Sequence, residues 1–133
     1  NKYTAEGRKQ IHQNLKFNTS VMLWMMRNPV KNRTVEYADN RISLFAAQYG
    51  KCAITGMQLS TDDIHCHHKV PVSKGGGDEY ANLILVSKDI HTIIHASTDE
   101  TIRKYLTILK LDAKQLTKLN KLRTMAEMPQ IIL

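Results

Sequence analysis

The sequence predicts an α+β domain in which a two-stranded hairpin leads into a helix, with further helices on both sides. Three observations carry that expectation. Ile64–Val70 and Leu83–Val86 have strand length and are separated by the glycine-rich loop Ser73–Asp78. A segment with a helix-capping residue, Ser87 or Asp89, follows at once and runs to about Ala96. Leucine-rich segments with helical spacing fill the last third of the chain.

Taken in order, residues 4–15 have weak helical character, and Val21–Met26 is an apolar run that fits a short helix or a strand. Its three methionines and Trp24 are expected in the core. Asn28-Pro29 ends it, because a residue before proline is pushed out of the α region. Pro29–Thr34 reads as an exposed basic loop. Asp39 or Asn40 suits a helix N-cap, Ile42, Phe45, Ala46 and Tyr49 share one helical face, and Gly50 suits the position after the helix. Thr55-Gly56 and Ser60–Asp63 are turn signals, and Pro71 closes the first strand. A helix starting at Thr98 or Asp99 carries Ile102, Tyr105, Leu106 and Leu109. Another, opened by Asp112, carries Leu116, Leu119, Leu122 and Arg123 and stops by Met128-Pro129. Each has a leucine face and a Lys/Arg face.

Composition narrows the function classes. The chain has 133 residues and a formal net charge of +7, with six histidines and two cysteines. That length fits one domain, or one domain with a helical arm. The charge points to a polyanionic partner and away from acidic surfaces. No run of 18 apolar residues is present, so no membrane partner is expected. The polar start shows no signal peptide, and two cysteines make no disulfide framework, so a reducing, cytoplasmic setting is expected. A chain that begins at Asn1 is expected to be a piece of a longer protein. The charge divides as +5 over residues 1–50, −1 over 51–98 and +3 over 99–133, and five histidines lie in the middle segment. The expected organisation is a basic arm at 1–38, a histidine-rich core at 39–98 and a basic helical tail at 99–133. Phosphate binding is the natural use of basic flanks around such a centre.

His91-x-x-x-His95 places two imidazoles one helical turn apart, a spacing that suits two ligands of one metal ion. His67-His68 lies on the preceding strand, and a hairpin followed by a crossing helix brings His67 near His91. A divalent metal polarises a phosphoryl oxygen, and a neutral histidine beside it can deprotonate water. The set therefore suits phosphodiester hydrolysis. Asn82 can pin the glycine-rich loop, since its amide donates and accepts together.

The run His67-His68-Lys69-Val70-Pro71-Val72-Ser73-Lys74-Gly75-Gly76, with Asn82 and His91 nine residues apart, resembles the HNH nucleases of the ββα-metal fold. The resemblance covers about residues 50–96. It implies His68 as general base, His67 and His91 as metal ligands and Asn82 as the residue that orients the base loop. His95 aligns with a third metal-binding histidine found in a subgroup similar to bacterial toxin nucleases. The flanks Asn28–Tyr37, Asp39–Ser43, Gly50–Gly56 and Asp89–Ala96 resemble the C-terminal region of bacterial group II intron-encoded reverse transcriptases, or maturases. That resemblance spans most of residues 28–123. It implies a domain that nicks one strand of double-stranded DNA so that the freed 3′ hydroxyl primes reverse transcription. Its further partners would be intron RNA and the reverse transcriptase domains. Lys31, Arg33, Arg41, Lys69 and Lys74 are the expected DNA contacts. One divalent ion is implied, Mg²⁺ first, with Mn²⁺, Ni²⁺ or Zn²⁺ as other fits.

The chain departs from many HNH domains in one respect. Where two Cys-x-x-Cys pairs often hold a structural zinc, it reads Cys52-Ala-Ile-Thr55 and Ser87-Lys-Asp-Ile90. No structural zinc is expected, and the tail helices are expected to supply the stability. Cys66 is expected as a buried free thiol, His65 as a packing or surface residue with a ligand role as the alternative, and His12 as surface. Rival functions are a catalytically silent nucleic-acid-binding module and a metal-binding interaction domain unrelated to nucleic acid.

Overall fold

The computed structural model describes residues 5–133, without the side chains of residues 6–8, 11 and 12. The expectations for Thr4 and for the His12 side chain lie outside the described residues. The order is α1 (Ala5–Arg27), α2 (Val35–Ala47), β1 (His65–His68), β2 (Leu83–Val86), α3 (Lys88–Ile94), α4 (Asp99–Leu109) and α5 (Ala113–Met125), with short 3₁₀ turns at Val72–Lys74 and Tyr80–Asn82. The α+β expectation holds, with an antiparallel hairpin followed by a helix and flanked by helices.

The N-terminal third differs from its sequence reading. Val21–Met26 belongs to a single 23-residue helix, α1, which stops just before Asn28-Pro29. Its contact with α2 is one narrow stripe. Val21 and Met25, four residues apart, are buried, whereas Leu23, Trp24 and Met26 lie off that stripe and are exposed. Trp24 and Met26 are thus not core residues. α2 begins five residues earlier than Asp39, and six earlier than Asn40, would set it, because Thr34 is its cap: Thr34 Oγ1 accepts from the Tyr37 N–H at 3.0 Å. The helix crosses the boundary expected after residue 38. Its buried face is Tyr37, Arg41, Leu44 and Phe45, so Tyr49 turns outward at 76% exposure. Tyr49 itself takes the left-handed conformation after the helix, with φ +54°, and Gly50 repeats it at φ +71°. Gly50 is needed there, since a Cβ would overlap the amide of Asn18.

The hairpin pairs His65 with Val86, Cys66 with Leu85, His67 with Ile84 and His68 with Leu83. β1 is shorter than Ile64–Val70, because after His68 the chain turns into the loop while the Lys69 N–H still donates to the Asn82 carbonyl at 2.7 Å. The outer edge of β2 is closed by Gln48. Its amide donates to the Leu85 carbonyl at 2.9 Å and accepts from the Leu85 N–H at 3.0 Å, which removes an open strand edge. Leu83, Leu85 and Val86 join Phe45, Ile90, Ile93, Ile94 and Leu119 in a core from which water is excluded.

Ser87 caps α3 by accepting from the Ile90 N–H, and Asp63 accepts from the Lys88 N–H. Thr98 caps α4, and Asp112 opens α5 in a capping box with Gln115. α5 ends at Met125, three residues short of Met128. Arg123 is the unexpected core residue. It is 1% exposed, and its guanidinium donates to the carbonyls of Ile93 at 2.7 Å, Ala96 at 2.8 Å and Pro129 at 2.8 Å. The last carbonyls of a helix lack partners within it, and a cation there also meets the negative end of the helix dipole. Among the described residues no helix is long and apolar enough to cross a membrane.

Replacing Arg123 with Met keeps bulk but removes the guanidinium from all three carbonyls, leaving Ile93 the weaker 3.4 Å bond from the Ala96 N–H. The unfolding free energy should fall by about 3 kcal/mol or more, the worth of roughly two charge-assisted hydrogen bonds, read from urea denaturation of the two proteins.

Candidate metal and phosphate site

The alternation of side chains along β1 sorts its residues onto two faces. His65 and His67 face α3. Cys66 and His68 face α2. Adjacent histidines therefore do different work without any break in the strand.

On the α3 side, His67 is 2% exposed, and its Nε2 has no hydrogen-bond partner. The ring lies edge-on to those of His91 and His95, with centroids 5.3 and 5.1 Å away. His91 and His95 are 5.2 Å from each other. One ligand nitrogen from each of the three falls within 4.8 Å of the others. His95 arrives there from just beyond α3, at its C-cap with φ −103°, so the last of the two spaced histidines is outside the helix and exposed. Burial pushes His67 down to about 3, and the neighbouring His91 and His95 push the same way. Burial likewise lowers His91 to about 4, with His65 next in effect. His95 is lowered by burial and by the Arg123 charge. At neutral pH all three rings are uncharged, with lone pairs to give. A buried, unpartnered Nε2 converging with two neutral imidazoles fits a divalent metal, which removes the cost of that orphaned atom.

On the α2 side, the Nε2 of His68 is 2.8 Å from Asp78 Oδ1. The Tyr37 ring stacks on the imidazole at 5.7 Å and 19°. Asp78 is itself held: its Oδ2 accepts from the Thr34 hydroxyl at 2.7 Å, and its carbonyl accepts from the Asn40 amide at 2.8 Å. The bonds from His68 and Thr34 keep the Asp78 carboxyl below its ordinary range. The sequence reading missed Asp78. The available signal was an acidic residue closing the glycine run ten positions after His68. The pin expected from Asn82 is present, and Asp78 is a second tie between that loop and β1. Asn82 is 7% exposed. It accepts from the Val70 N–H at 2.9 Å and donates to the carbonyls of Val70 at 3.1 Å and Gly77 at 2.9 Å. Gly76 lies so close to the Val70 carbonyl that a Cβ would overlap it.

His65 is the packing residue expected, outside the three-histidine cluster, with its Nδ1 2.9 Å from the Nδ1 of His91. One other expectation changes here. Cys66 is half-buried rather than buried and is a free thiol, as is the buried Cys52. Burial pushes Cys66 up to about 11, and its Tyr37 neighbour is pushed up to about 12 by the same cause.

An open cleft is lined by His67, His68, His91, His95, Cys66 and Arg33, with Pro71 and Val72 on one wall. Of the expected DNA contacts, Arg33 is at this cleft, its guanidinium 5.3 Å from the centre of the Tyr37 ring. Lys31 is exposed on the turn before α2. Lys69 borders a separate hollow with Lys118 and Lys121. Lys74 is exposed and paired with Glu127 at 2.9 Å. Arg41 departs from the set: at 6% exposure on the inner face of α2 it has almost no surface to offer a phosphate.

Residues 50–97 match the family model of the HNH endonucleases. The matched segment contains the hairpin, α3 and all five of His67, His68, Asn82, His91 and His95. The match supports an HNH domain and, with it, a nuclease that uses a divalent metal. The hairpin-and-helix order is consistent with the ββα core of that family. No curated protein and no solved structure matches the chain.

Two outcomes follow. In the unfolded chain His67 and His91 titrate near 6.5, but in the fold they resist protonation down to about 3 and about 4. Between those values the unfolded chain binds more protons, so stability is complete above pH 6.5 and declines as pH falls below it. Urea midpoints of the metal-free protein from pH 7.5 to 4 should fall accordingly, and His67→Leu should flatten the slope. Gly76→Ala should displace the loop, lowering thermal stability and nuclease turnover together.

Proposed function

We propose that the chain is a metal-dependent endonuclease domain that nicks one strand of double-stranded DNA by phosphodiester hydrolysis. One observation carries the reading: a neutral three-histidine cluster with an orphaned buried nitrogen shares a cleft with a histidine already bound to a carboxylate.

His67, His91 and His95 would hold the ion. When bound, it supplies a Lewis acid that polarises a phosphoryl oxygen and stabilises charge on the leaving oxygen. The protein's own part centres on His68. Asp78 is ionised at neutral pH and accepts from His68 Nε2–H, which leaves the lone pair on Nδ1. His68 Nδ1 takes a proton from the attacking water, and Asp78 stabilises the resulting imidazolium. Water oxygen bonds to phosphorus, the bond from phosphorus to the 3′ oxygen breaks, that oxygen takes a proton from solvent, and the products are a 5′ phosphate and a 3′ hydroxyl, with His68 returning its proton to solvent. Tyr37 and Asn82 keep the base in place, one by stacking and the other by holding its loop. Arg33 at the cleft, with Lys31 and Lys69, gives the DNA phosphates cationic partners.

The ion is proposed as Mg²⁺ in action, with phosphate and water oxygens completing its shell. Three nitrogen donors by themselves favour Zn²⁺ or Ni²⁺ in affinity, and Mn²⁺ lies between. The similarity of the flanks over residues 28–123 to group II intron maturases supports a finer reading. The nick would supply the 3′ hydroxyl primer for reverse transcription of intron RNA, with the reverse transcriptase domains of a parent protein as partners.

The deciding experiment is a nicking assay on supercoiled and short duplex DNA across Mg²⁺, Mn²⁺, Ni²⁺ and Zn²⁺. His68→Ala should lower turnover by about 10²–10⁴-fold, the usual worth of a general base, with DNA and metal affinity nearly unchanged. Unaltered cleavage by that variant would remove His68 as the base. Cleavage by no metal would leave a silent binding module. Asp78→Asn should cut turnover at least tenfold while KM holds, because the amide favours the wrong tautomer of His68. DNA affinity should fall steeply with salt, since phosphate contacts release counterions.

A further inference from the structure

His65 shares the α3-facing side of β1 with His67, yet it lies outside the three-histidine cluster. Its ring meets His91 edge-on, with centroids 5.1 Å apart and planes at 62°. The two Nδ1 atoms are 2.9 Å apart, a hydrogen-bond distance. Two neutral imidazoles at that separation share one proton between those nitrogens, and only two arrangements exist. In one, His65 Nδ1–H donates to His91 Nδ1. The proton of His91 then resides on Nε2, the nitrogen left to face a metal, and blocks it. In the other, His91 Nδ1–H donates to His65 Nδ1. The lone pair of His91 is then on Nε2, ready for coordination.

His91 has no alternative partner for Nδ1 among the described side-chain hydrogen bonds, so His65 alone decides between the two. Metal ligands of this type regularly donate their second ring N–H to a fixed acceptor, which sets tautomer and ring orientation. Here the acceptor is a histidine of β1, two residues before His67, rather than a carboxylate or a carbonyl. We propose that His65 is a positioning residue that accepts from His91 Nδ1–H and holds His91 in the tautomer that presents Nε2 to the metal. The inference rests on the reading that His67, His91 and His95 bind a divalent ion.

The test uses Zn²⁺ and Co²⁺ as probes on the full chain, with affinity measured by calorimetry and the Co²⁺ visible spectrum as a second signal. His65→Leu removes the acceptor and keeps bulk. His65→Asn restores an acceptor oxygen at the position of Nδ1. His91→Ala removes the ligand itself. The expected result is a 10–100-fold loss of affinity in His65→Leu, recovery to within about threefold in His65→Asn, and a larger loss in His91→Ala. In parallel, two-bond ¹⁵N–¹H spectra of the metal-free wild type should show His91 as the Nδ1–H tautomer, and His65→Leu should shift it toward Nε2–H. The wild-type spectrum needs no variant, so it decides even where a variant folds poorly: His91 in the Nε2–H form there would overturn the inference. Metal binding in His65→Leu equal to wild type, while His91→Ala loses it, would overturn the inference and leave the metal site standing. Equal loss in His65→Leu and His65→Asn would also overturn it, as would a loss in His65→Leu as large as that in His91→Ala, which would make His65 a ligand. No metal bound by the wild type would instead bring down the three-histidine reading itself.

Discussion

A guanidinium buried at the end of a short helix holds this molecule in order. α3 has seven residues, well below the length at which a helix persists alone in water. Yet it carries His91 and delivers His95. Arg123 reaches across from α5 and takes up the carbonyls of Ile93 and Ala96, with Pro129 on its other side. The same contact fixes the backbone around His95 and sends the chain into α4. A buried cation is costly unless it is fully hydrogen-bonded, and this one is bonded to groups that would otherwise be orphaned themselves. Two needs cancel, and the metal-facing side of the site gains a rigid floor.

The hairpin then divides the chemistry. One face of β1 meets α3 and collects nitrogen donors whose burial keeps them neutral. The other meets α2, where Thr34, Asn40 and Asp78 form a chain of hydrogen bonds that ends on His68. Thr34 both caps α2 and bonds Asp78, so the start of that helix and the placement of His68 are one arrangement. The burial that keeps His67 and His91 neutral and the ionised carboxylate that steadies His68 are opposite electrostatic environments, separated by the thickness of a single strand.

The hairpin, α3 and the last two helices were legible in the sequence, because strand alternation, Ser87, Thr98, Asp112 and the leucine spacing are local signals. The cluster of His67, His91 and His95 was legible from spacing and from resemblance, since a strand and a following helix bring those positions together. What escaped was long-range. Nothing local distinguishes Arg123 from the other basic residues of α5, and its burial depends on the end of a helix 30 residues away. Asp78 was hidden in a run of glycines that reads as slack until Asn82 closes it. The start of α2 was misplaced because Thr34, Asp39 and Asn40 are all good caps, and only the contact to Asp78 makes Thr34 the one used. The apolar run at Val21–Met26 suggested core, but a helix that meets one neighbour buries only one stripe.

The shortness of β1 has an evolutionary consequence. Four residues carry the whole division between the proposed ion site and the proposed base, and their placement depends on parity alone. Deleting or inserting one codon between His65 and His68 would exchange the two faces and abolish both functions at once. The adjoining loop is under a different constraint, since its ends are tied by Asn82 and it can vary in length wherever that tie and Asp78 survive. Related chains should therefore show no gaps within the strand, and none that displace Gly76, Gly77 or Asp78 in the loop.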